Sequence, residues 1–244
     1  MKALLLAAGY GTRLGTLTKD LPKCLMNVGD ETMLDHWLYK LDALGVSEFI
    51  INTHYLAKHV EEFVSLHPLK DKIFLSYEPK LLGTAGTLFA HKNFLRSDIS
   101  FIVHVDNYCE DKLDGFLNSH KNCPSKIVLS MLTFITEDPS KCGVVELDSH
   151  GRLISFSEKQ PTSKSHIANG AVYIISEDFF KEFSLSTFPP GYDISLDIIP
   201  HLLGKINCYP SKGYFADIGT KEKLQESIKW KHSFSKKTEY FRNK

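Results

Sequence analysis

The chain has few features of a disulfide-bonded, membrane-spanning or strongly charged protein. Its five cysteines are odd in number and include no Cys-x-x-Cys pair, which argues against a disulfide framework and a structural zinc site. No apolar run approaches the roughly 20 residues that a membrane helix needs. Lysine plus arginine equals aspartate plus glutamate at 29 each, so no overall field attracts nucleic acid or an anionic membrane. We expect a cytoplasmic protein whose partners are small molecules, with no nucleic acid or membrane partner.

Signatures of several enzyme classes are also missing. There is no serine nucleophile elbow, and no cysteine stands in a nucleophile context. The 11 histidines are scattered, and His54 and His59 are too far apart for a His-Glu-x-x-His zinc helix. We therefore interpret the histidines as structural.

The length and composition fit one globular domain with a short appendage. The chain has 244 residues, of which 43% are apolar and 24% are charged. We expect a single domain over residues 1–230. Residues 231–244 contain five cations and one acid, which predicts a polar, basic C-terminal tail or a frayed helix extension.

Strand-like and helix-like segments alternate through the first half of the chain. The predicted order is strand 2–8, helix 33–44, strand 48–53, helix 57–66, strand 72–77, helix 84–95 and strand 99–105. This alternation predicts an α/β fold whose mainly parallel sheet has helices on both faces. Ligands bind at the carboxyl ends of strands in such sheets, so Gly9, Gly11 and Asp106 are expected to share one crevice.

The second half has a different pattern and indicates a partly antiparallel region. Its predicted elements are a strand at 126–136, a hairpin of 143–148 with 153–158, a strand at 168–175, a helix at 195–203, short strands near 206–209 and 213–216, and a last helix from Thr220. The sheet is therefore expected to be mixed, with a small antiparallel part.

The segment from Leu6 to Lys23 has the features of a triphosphate-binding site. An apolar strand leads into Leu6-Ala7-Ala8-Gly9-Tyr10-Gly11-Thr12-Arg13-Leu14, and Pro22-Lys23 follows shortly after. The two glycines let the backbone approach a ligand that a Cβ would obstruct. The Arg13 guanidinium and the Lys23 ammonium are suited to phosphate oxygens.

Three other interpretations of this segment are disfavoured. A dinucleotide-binding fingerprint needs a small residue at Leu14 and an acid at the end of the next strand, which reads Asn52-Thr53-His54. No Gly-Lys-Ser/Thr follows at the spacing of a Walker loop. The apolar stretch after Lys2 is shorter than the roughly 7 to 15 residues of a secretory leader, so we expect none.

Two aspartates at the ends of apolar segments are candidate magnesium ligands. Asp106 follows the strand predicted at 99–105 and precedes Asn107, and Asp217 precedes the last helix. Magnesium prefers carboxylate oxygens combined with phosphate oxygens and water. As alternatives, Asp106 would cap a helix at 111–121 and Asp217 would cap the last helix. Two adjacent carboxylates would repel one another unless a cation lay between them.

Three weaker signals point to the remainder of the site. In Leu82-Gly83-Thr84-Ala85-Gly86-Thr87 two glycines would let a flat base lie on the backbone, although glycines at a helix start also serve packing. Glu158 and Lys159 end a hairpin strand, where adjacent side chains point to opposite faces unless a bend redirects one of them. Asn169-Gly170 opens the next strand, where an amide would reach sugar hydroxyls.

Taken in order, these motifs resemble the sugar-1-phosphate nucleotidyltransferases, also called nucleotide-sugar pyrophosphorylases. The family pattern Leu-Ala-x-Gly-x-Gly-Thr-Arg-Leu followed by Pro-Lys-x-Leu matches residues 6–14 and 22–25, and the likeness extends to about residue 228. Leu-Gly-Thr-Ala-Gly is most similar to guanylyltransferases acting on mannose or heptose phosphates. The resemblance implies a Rossmann-like, GT-A-like nucleotidyltransferase fold.

The resemblance also implies a role for each matching residue. Asp106 and Asp217 would hold Mg²⁺, and Arg13 and Lys23 would act with them on the phosphates. The nucleotide would contact Leu6, Ala7, Ala8, Gly9, Gly11, Thr12, Arg13, Lys23, Gly83, Thr84 and Gly86. The sugar phosphate would contact Asn107, Glu158, Lys159, Asn169 and Gly170.

Departures from the family pattern leave the substrates open. The usual Gly-Asp appears as Val105-Asp106, and the usual Asn-Ala-Gly appears as Asn169-Gly170-Ala171. The expected reaction joins a nucleoside triphosphate to a sugar 1-phosphate and releases pyrophosphate, with GTP and a hexose or heptose 1-phosphate favoured. Uridylyl, thymidylyl or cytidylyl transfer and a catalytically silent nucleotide-sugar-binding protein are the alternatives. A homo-oligomer is left open.

Overall fold

The computed structural model describes residues 1–160, 163, 165–184 and 188–242, without the side chains of 235–242. Its strands are β1 Lys2–Leu6, β2 Asn27–Val28, β3 Glu31–Thr32, β4 Glu48–Thr53, β5 Ile73–Tyr77, β6 Ile99–His104, β7 Asn107–Cys109, β8 Leu129–Ile135, β9 Gly143–Leu147, β10 Leu153–Glu158, β11 Ile167–Ser176, β12 Ile206–Pro210 and β13 Phe215–Asp217. Its α-helices are α1 Met33–Ala43, α2 Ala57–Leu66, α3 Thr84–Ala90, α4 Lys92–Leu95, α5 Asp114–Lys121 and α6 Lys221–Arg242.

The main sheet is mixed, as the sequence predicts. Its strand order is β10-β9-β11-β6-β1-β4-β5, and β8 pairs with β11 and β12. The strands β6, β1, β4 and β5 are mutually parallel, whereas β11 is antiparallel to β6. Leu6 at the end of β1 lies in register with Asn52 of β4 and His104 of β6. The carboxyl ends of three parallel strands therefore meet at one edge.

Helices cover both faces of this sheet. Alternate residues of a strand point to opposite faces, and in β1 Leu5 joins one core cluster with Trp37 of α1. Leu4 joins the other cluster with Phe89 of α3. The predicted α/β architecture is confirmed.

Two predicted segments of the first half are longer than the elements observed. The first strand ends at Leu6 rather than at residue 8, because the chain then turns into the glycine loop. The helix predicted over 84–95 is two helices, since the backbone at His91 leaves the helical region (φ −101°, ψ 15°).

The helix predicted at 195–203 is not an α-helix. It begins as a π-helical turn over Ile194–Ile198 and continues as a 3₁₀ turn over Ile199–Leu202. Pro200 has no backbone N–H to continue a helical ladder, so the hydrogen-bond pattern changes there. The strand predicted at 126–136 is shorter, at Leu129–Ile135.

A two-stranded ribbon of β7 and β13 places Asp217 opposite Asn107, the residue that follows Asp106. Side chains of α1 bind alternate carbonyls of β7 and the residues after it. Trp37 Nε1 donates to Asn107 O at 2.7 Å, His36 Nε2 to Cys109 O at 2.8 Å, and Lys40 Nζ to Asp111 O at 2.8 Å. Strand β7 is thus held on one edge by β13 and on the other by side chains of α1.

Helix α6 continues past residue 230 to Arg242, and Asn243 and Lys244 lie outside the described residues. The division between residues 230 and 231 stays a prediction. Within the described part of the chain, no helix is both long and apolar enough to cross a membrane.

Candidate active site

A cavity of about 220 Å³ opens at the carboxyl ends of β1, β4 and β6. It collects part of the predicted nucleotide set together with one metal candidate, namely Leu6, Ala7, Ala8, Gly9, Lys23, Gly83, Thr84 and Asp106. Four predicted nucleotide residues do not line it, namely Gly11, Thr12, Arg13 and Gly86. Six residues that the sequence did not single out do line it, namely Cys24, Asn52, Glu78, Leu81, Thr87 and His104.

The glycine loop brings the backbone close to Lys23. Gly11 has a left-handed conformation (φ 66°), and a Cβ there would lie 2.8 Å from Thr18 Cγ2 and 3.2 Å from Lys23 Cβ. Around Gly9, by contrast, nothing lies within 4 Å of the Cβ position. Ala7 N donates to Asn52 Oδ1 at 2.8 Å, so that amide is already used. The open backbone for an anion therefore begins at Gly9.

Lys23 pairs with the first candidate metal ligand. Its Nζ lies 2.5 Å from Asp106 Oδ2, and Lys23 is 8% exposed. Burial opposes ionisation of Asp106, but Lys23 and His104 together hold the pKa of that carboxyl below its usual value. The sequence predicted both residues at the site but not the contact between them.

The second carboxylate reaches the same place through the ribbon. Ile218 N donates to Asp106 O at 2.9 Å, which brings Asp217 beside Asp106. Partial burial and the negative charge of Asp106 raise the pKa of Asp217. Arg13 Nη2 lies 4.0 Å from Asp217 Oδ2, so Arg13 faces the carboxylates from outside the cavity.

Neither aspartate acts as a helix cap. Helix α5 begins at Asp114 after Leu113, which makes no side-chain capping bond. Thr220 Oγ1 accepts from Lys223 N at 3.3 Å and so caps α6. Both cap interpretations are therefore wrong.

Another acidic cluster contains groups of the kind that bind metals, but a lysine occupies it. Ligand atoms of Glu31, His36 and Glu110 lie within 4.8 Å of one another. Lys231 Nζ contacts Glu31 Oε1 at 3.0 Å and Glu110 Oε1 at 2.7 Å. Burial opposes ionisation there, yet His36 and Lys231 lower the pKa of Glu31 to about 2. This cluster anchors α6 to the ribbon.

A buried carboxylate that was not predicted from the sequence also lines the cavity. Glu78 follows β5 and is 3% exposed. Its Oε1 accepts from Asn52 Nδ2 at 2.9 Å and from Thr87 Oγ1 at 2.6 Å, and its Oε2 accepts from Leu82 N at 2.9 Å. Because Asn52 and Glu78 lie at carboxyl ends of strands, the rule that located Gly9 and Asp106 would have found them too.

Packing accounts for the two glycines at the start of α3. Gly83 has φ 77°, and a Cβ there would collide with the backbone of Gly191 and Tyr192. A Cβ on Gly86 would lie 3.1 Å from Leu82 Cβ. Thr84 Oγ1 also donates to Asp193 Oδ2 at 2.9 Å, so this turn is fixed against the 188–194 segment.

A bend turns Lys159 toward Glu158, which is the condition for these adjacent side chains to contact the same ligand. Lys159 has a positive φ of 50°, unusual for a residue with a side chain. Its Nζ lies 3.6 Å from Glu158 Oε1. Burial raises the pKa of Glu158 and Asp193 adds to the effect, whereas Lys159 opposes it. The two side chains therefore lie close together, although neither lines the cavity.

Asn169 binds its own strand rather than open space. Its Nδ2 donates to Tyr173 Oη at 2.8 Å, and its Oδ1 accepts from Ala171 N at 2.8 Å. The register of β11 against β8 shifts between Asn169 and Tyr173, and Ala171 has a positive φ of 49°. A Cβ on Gly170 would lie 2.9 Å from Leu132 O. The family order Asn-Ala-Gly would place a glycine at position 171, where a positive φ carries no strain. In this chain an alanine takes that conformation.

We expect Ala171→Gly to stabilise the protein by about 0.5 to 1 kcal/mol, because relief of a strained left-handed alanine exceeds the added backbone entropy of glycine. Urea unfolding of the two proteins measures the difference. The matched control is Ala168→Gly in the same strand, which should destabilise. Equal destabilisation by both changes would show that Ala171 is not strained.

The chain belongs to the nucleotidyl transferase family, whose model matches residues 2–232. It is 32% identical over 229 residues to the mannose-1-phosphate guanylyltransferase catalytic subunit beta of Danio rerio, with 90% of this chain and 61% of that protein covered. It is 30% identical over 185 residues to the D-glycero-alpha-D-manno-heptose 1-phosphate guanylyltransferase of Campylobacter jejuni, covering 76% of this chain and 80% of that protein. The resemblance predicted from the motifs is confirmed.

The fold is also that of a solved relative. HddC from Yersinia pseudotuberculosis, crystallised with GMP-PN, superposes with a TM-score of 0.76 over 93% of this chain and 98% of that one, at 24% identity. The chain spans 60% to 61% of the length of several mannose-1-phosphate guanylyltransferases that it matches.

Proposed function

We propose that the protein transfers a nucleoside monophosphate from GTP to a hexose or heptose 1-phosphate, forming a nucleotide sugar and pyrophosphate. The observation that carries the proposal is the pairing of Lys23 with Asp106 at an open glycine loop, with Asp217 and Arg13 beside it. Guanylyl transfer is in the names of the relatives from Danio rerio and Campylobacter jejuni.

In this reaction a phosphate oxygen of the sugar 1-phosphate attacks the α-phosphorus of the triphosphate, and the bond to the β-phosphate oxygen breaks. The nucleophile is already anionic, so the protein needs no nucleophile of its own and acts by alignment and charge screening. Lys23 and Arg13 would bind the triphosphate, and Lys159 would hold the incoming phosphate. Glu158 would accept hydrogen bonds from sugar hydroxyls.

The carboxylate pair fits a divalent cation. The pKa of Asp217 is raised partly because Asp106 is close and negative, and a cation between them would relieve that repulsion. Mg²⁺ held by Asp106 and Asp217 would neutralise charge on the reacting phosphates.

The test is a matrix of four nucleoside triphosphates against hexose, amino-sugar and heptose 1-phosphates, scored by pyrophosphate release in the presence of Mg²⁺. We expect release with GTP and a mannose- or heptose-type 1-phosphate, and little with the other triphosphates. Turnover with UTP, dTTP or CTP instead would contradict the proposed use of GTP. Binding of a nucleotide sugar without any turnover would favour the silent binding protein.

A further inference from the structure

His104 lies near Tyr173, whose hydroxyl accepts a hydrogen bond from Asn169, the expected sugar contact. It is the last residue of β6, pairs in register with Leu6, and stands two residues before Asp106. It lines the cavity. It also contributes to lowering the pKa of Asp106, which is consistent with an imidazole close to that carboxylate.

The bend in β11 ends its pairing with β6 before His104. The pairing of β11 with β6 ends at Val172 opposite Val103, one residue before His104. Ala171, which would come next, takes its positive φ and turns the strand away. The nearest aromatic neighbour is Tyr173, whose ring centroid is 6.3 Å away and edge-on. His104 therefore pairs with Leu6 of β1 on one side and has no paired residue of β11 on the other.

The Nε2 atom of His104 is buried and has no hydrogen-bond partner among the described residues. Buried polar atoms in folded proteins almost always have a partner, so an orphan beside a binding cavity indicates a ligand. Asn169, the expected sugar contact, has its amide engaged by Tyr173 and Ala171. Among the described residues that line the cavity, His104 is the one with a buried side-chain polar atom that lacks a partner.

We infer that His104 Nε2 donates a hydrogen bond to an oxygen of the sugar 1-phosphate and so helps to select this substrate. The inference rests on the proposed function and adds a residue to its acceptor side. Lys23 lines the same cavity but is assigned to the triphosphate.

The test compares His104→Leu with His104→Gln, using GTP and the sugar 1-phosphate that the wild type turns over best. The apolar variant should raise the KM for the sugar 1-phosphate about 10- to 100-fold, as expected for a lost hydrogen bond to a charged group. The KM for GTP and the activation by Mg²⁺ should not change. The glutamine variant should recover most of the loss, because its side chain also ends in an N–H donor. His150→Leu, at an exposed hairpin turn, is the matched control and should match the wild type.

Thermal unfolding supplies a readout that separates binding from structure. Removing an unpaired buried Nε2 should leave the melting temperature unchanged or raise it, whereas loss of a structural hydrogen bond would lower it. Inorganic phosphate as a competing ligand locates the contact: weaker inhibition in His104→Leu places it on the phosphate group, and equal inhibition places it on a hydroxyl.

Three results would overturn the inference. An unchanged KM for the sugar 1-phosphate in His104→Leu would exclude the contact. A raised KM for GTP, or a changed Mg²⁺ requirement, would move His104 to the nucleotide or the metal. A wild type that releases no pyrophosphate with any pair of substrates would overturn the proposed function itself, and the inference with it.

Discussion

Asp106→Asn should lower the rate of pyrophosphate release by about 10²- to 10³-fold, the usual cost of removing one preorganised charge from a phosphoryl-transfer site. Asparagine keeps an oxygen that can accept the hydrogen bond from Lys23 Nζ, so the fold should survive. It loses the negative charge that would hold a divalent cation beside Asp217. Steady-state rates at saturating substrates measure the effect.

The matched control for this change is Asp178→Asn. Asp178 is also paired with a lysine, Lys181, at 2.5 Å, but on an exposed 3₁₀ turn away from the cavity. It should retain the wild-type rate. Near-normal turnover by Asp106→Asn would refute the assignment of Asp106 to the metal.

Lys23→Met should reduce both catalysis and stability. The rate should fall by about 10²- to 10³-fold, because the cation next to the triphosphate is lost. The free energy of unfolding should fall by about 3 kcal/mol, because Asp106 keeps a charge without its partner. We expect the lower end of the range for broken buried pairs, since the Asp106 side chain is 33% exposed.

A double-mutant cycle measures how much the contact between Lys23 and Asp106 contributes to stability. If the pair is coupled as its 2.5 Å contact indicates, Lys23→Met combined with Asp106→Asn should be more stable than Lys23→Met alone. Lys181→Met, on the surface, is the control and should change neither quantity. Additive losses of stability in the double variant would show that the contact contributes nothing.

The strand-end rule predicted much of the site because it depends only on chain order. Gly9 and Asp106 follow β1 and β6, and parallel neighbours end at the same edge. The same rule applied to β4 and β5 would also have indicated Asn52 and Glu78. They were missed because neither residue lies in one of the motifs that carry the family resemblance.

Other features depended on contacts that sequence spacing does not encode. Lys159 turns toward Glu158 because its φ is positive. Lysine rarely adopts a positive φ, so the residue type gives no sign of this turn in the sequence. The need for glycine at position 83 arises from Tyr192, more than 100 residues away along the chain. The burial of His104 Nε2 without a hydrogen-bond partner depends on how the chain folds around it, which the sequence does not show.

The most direct test of the proposed reaction is product stoichiometry by mass spectrometry with GTP, Mg²⁺ and a mannose- or heptose-type 1-phosphate. We expect one guanosine diphosphate sugar for each pyrophosphate, and no pyrophosphate when the sugar 1-phosphate is omitted. Pyrophosphate released together with free GMP, independently of the sugar phosphate, would contradict it and indicate hydrolysis instead of transfer.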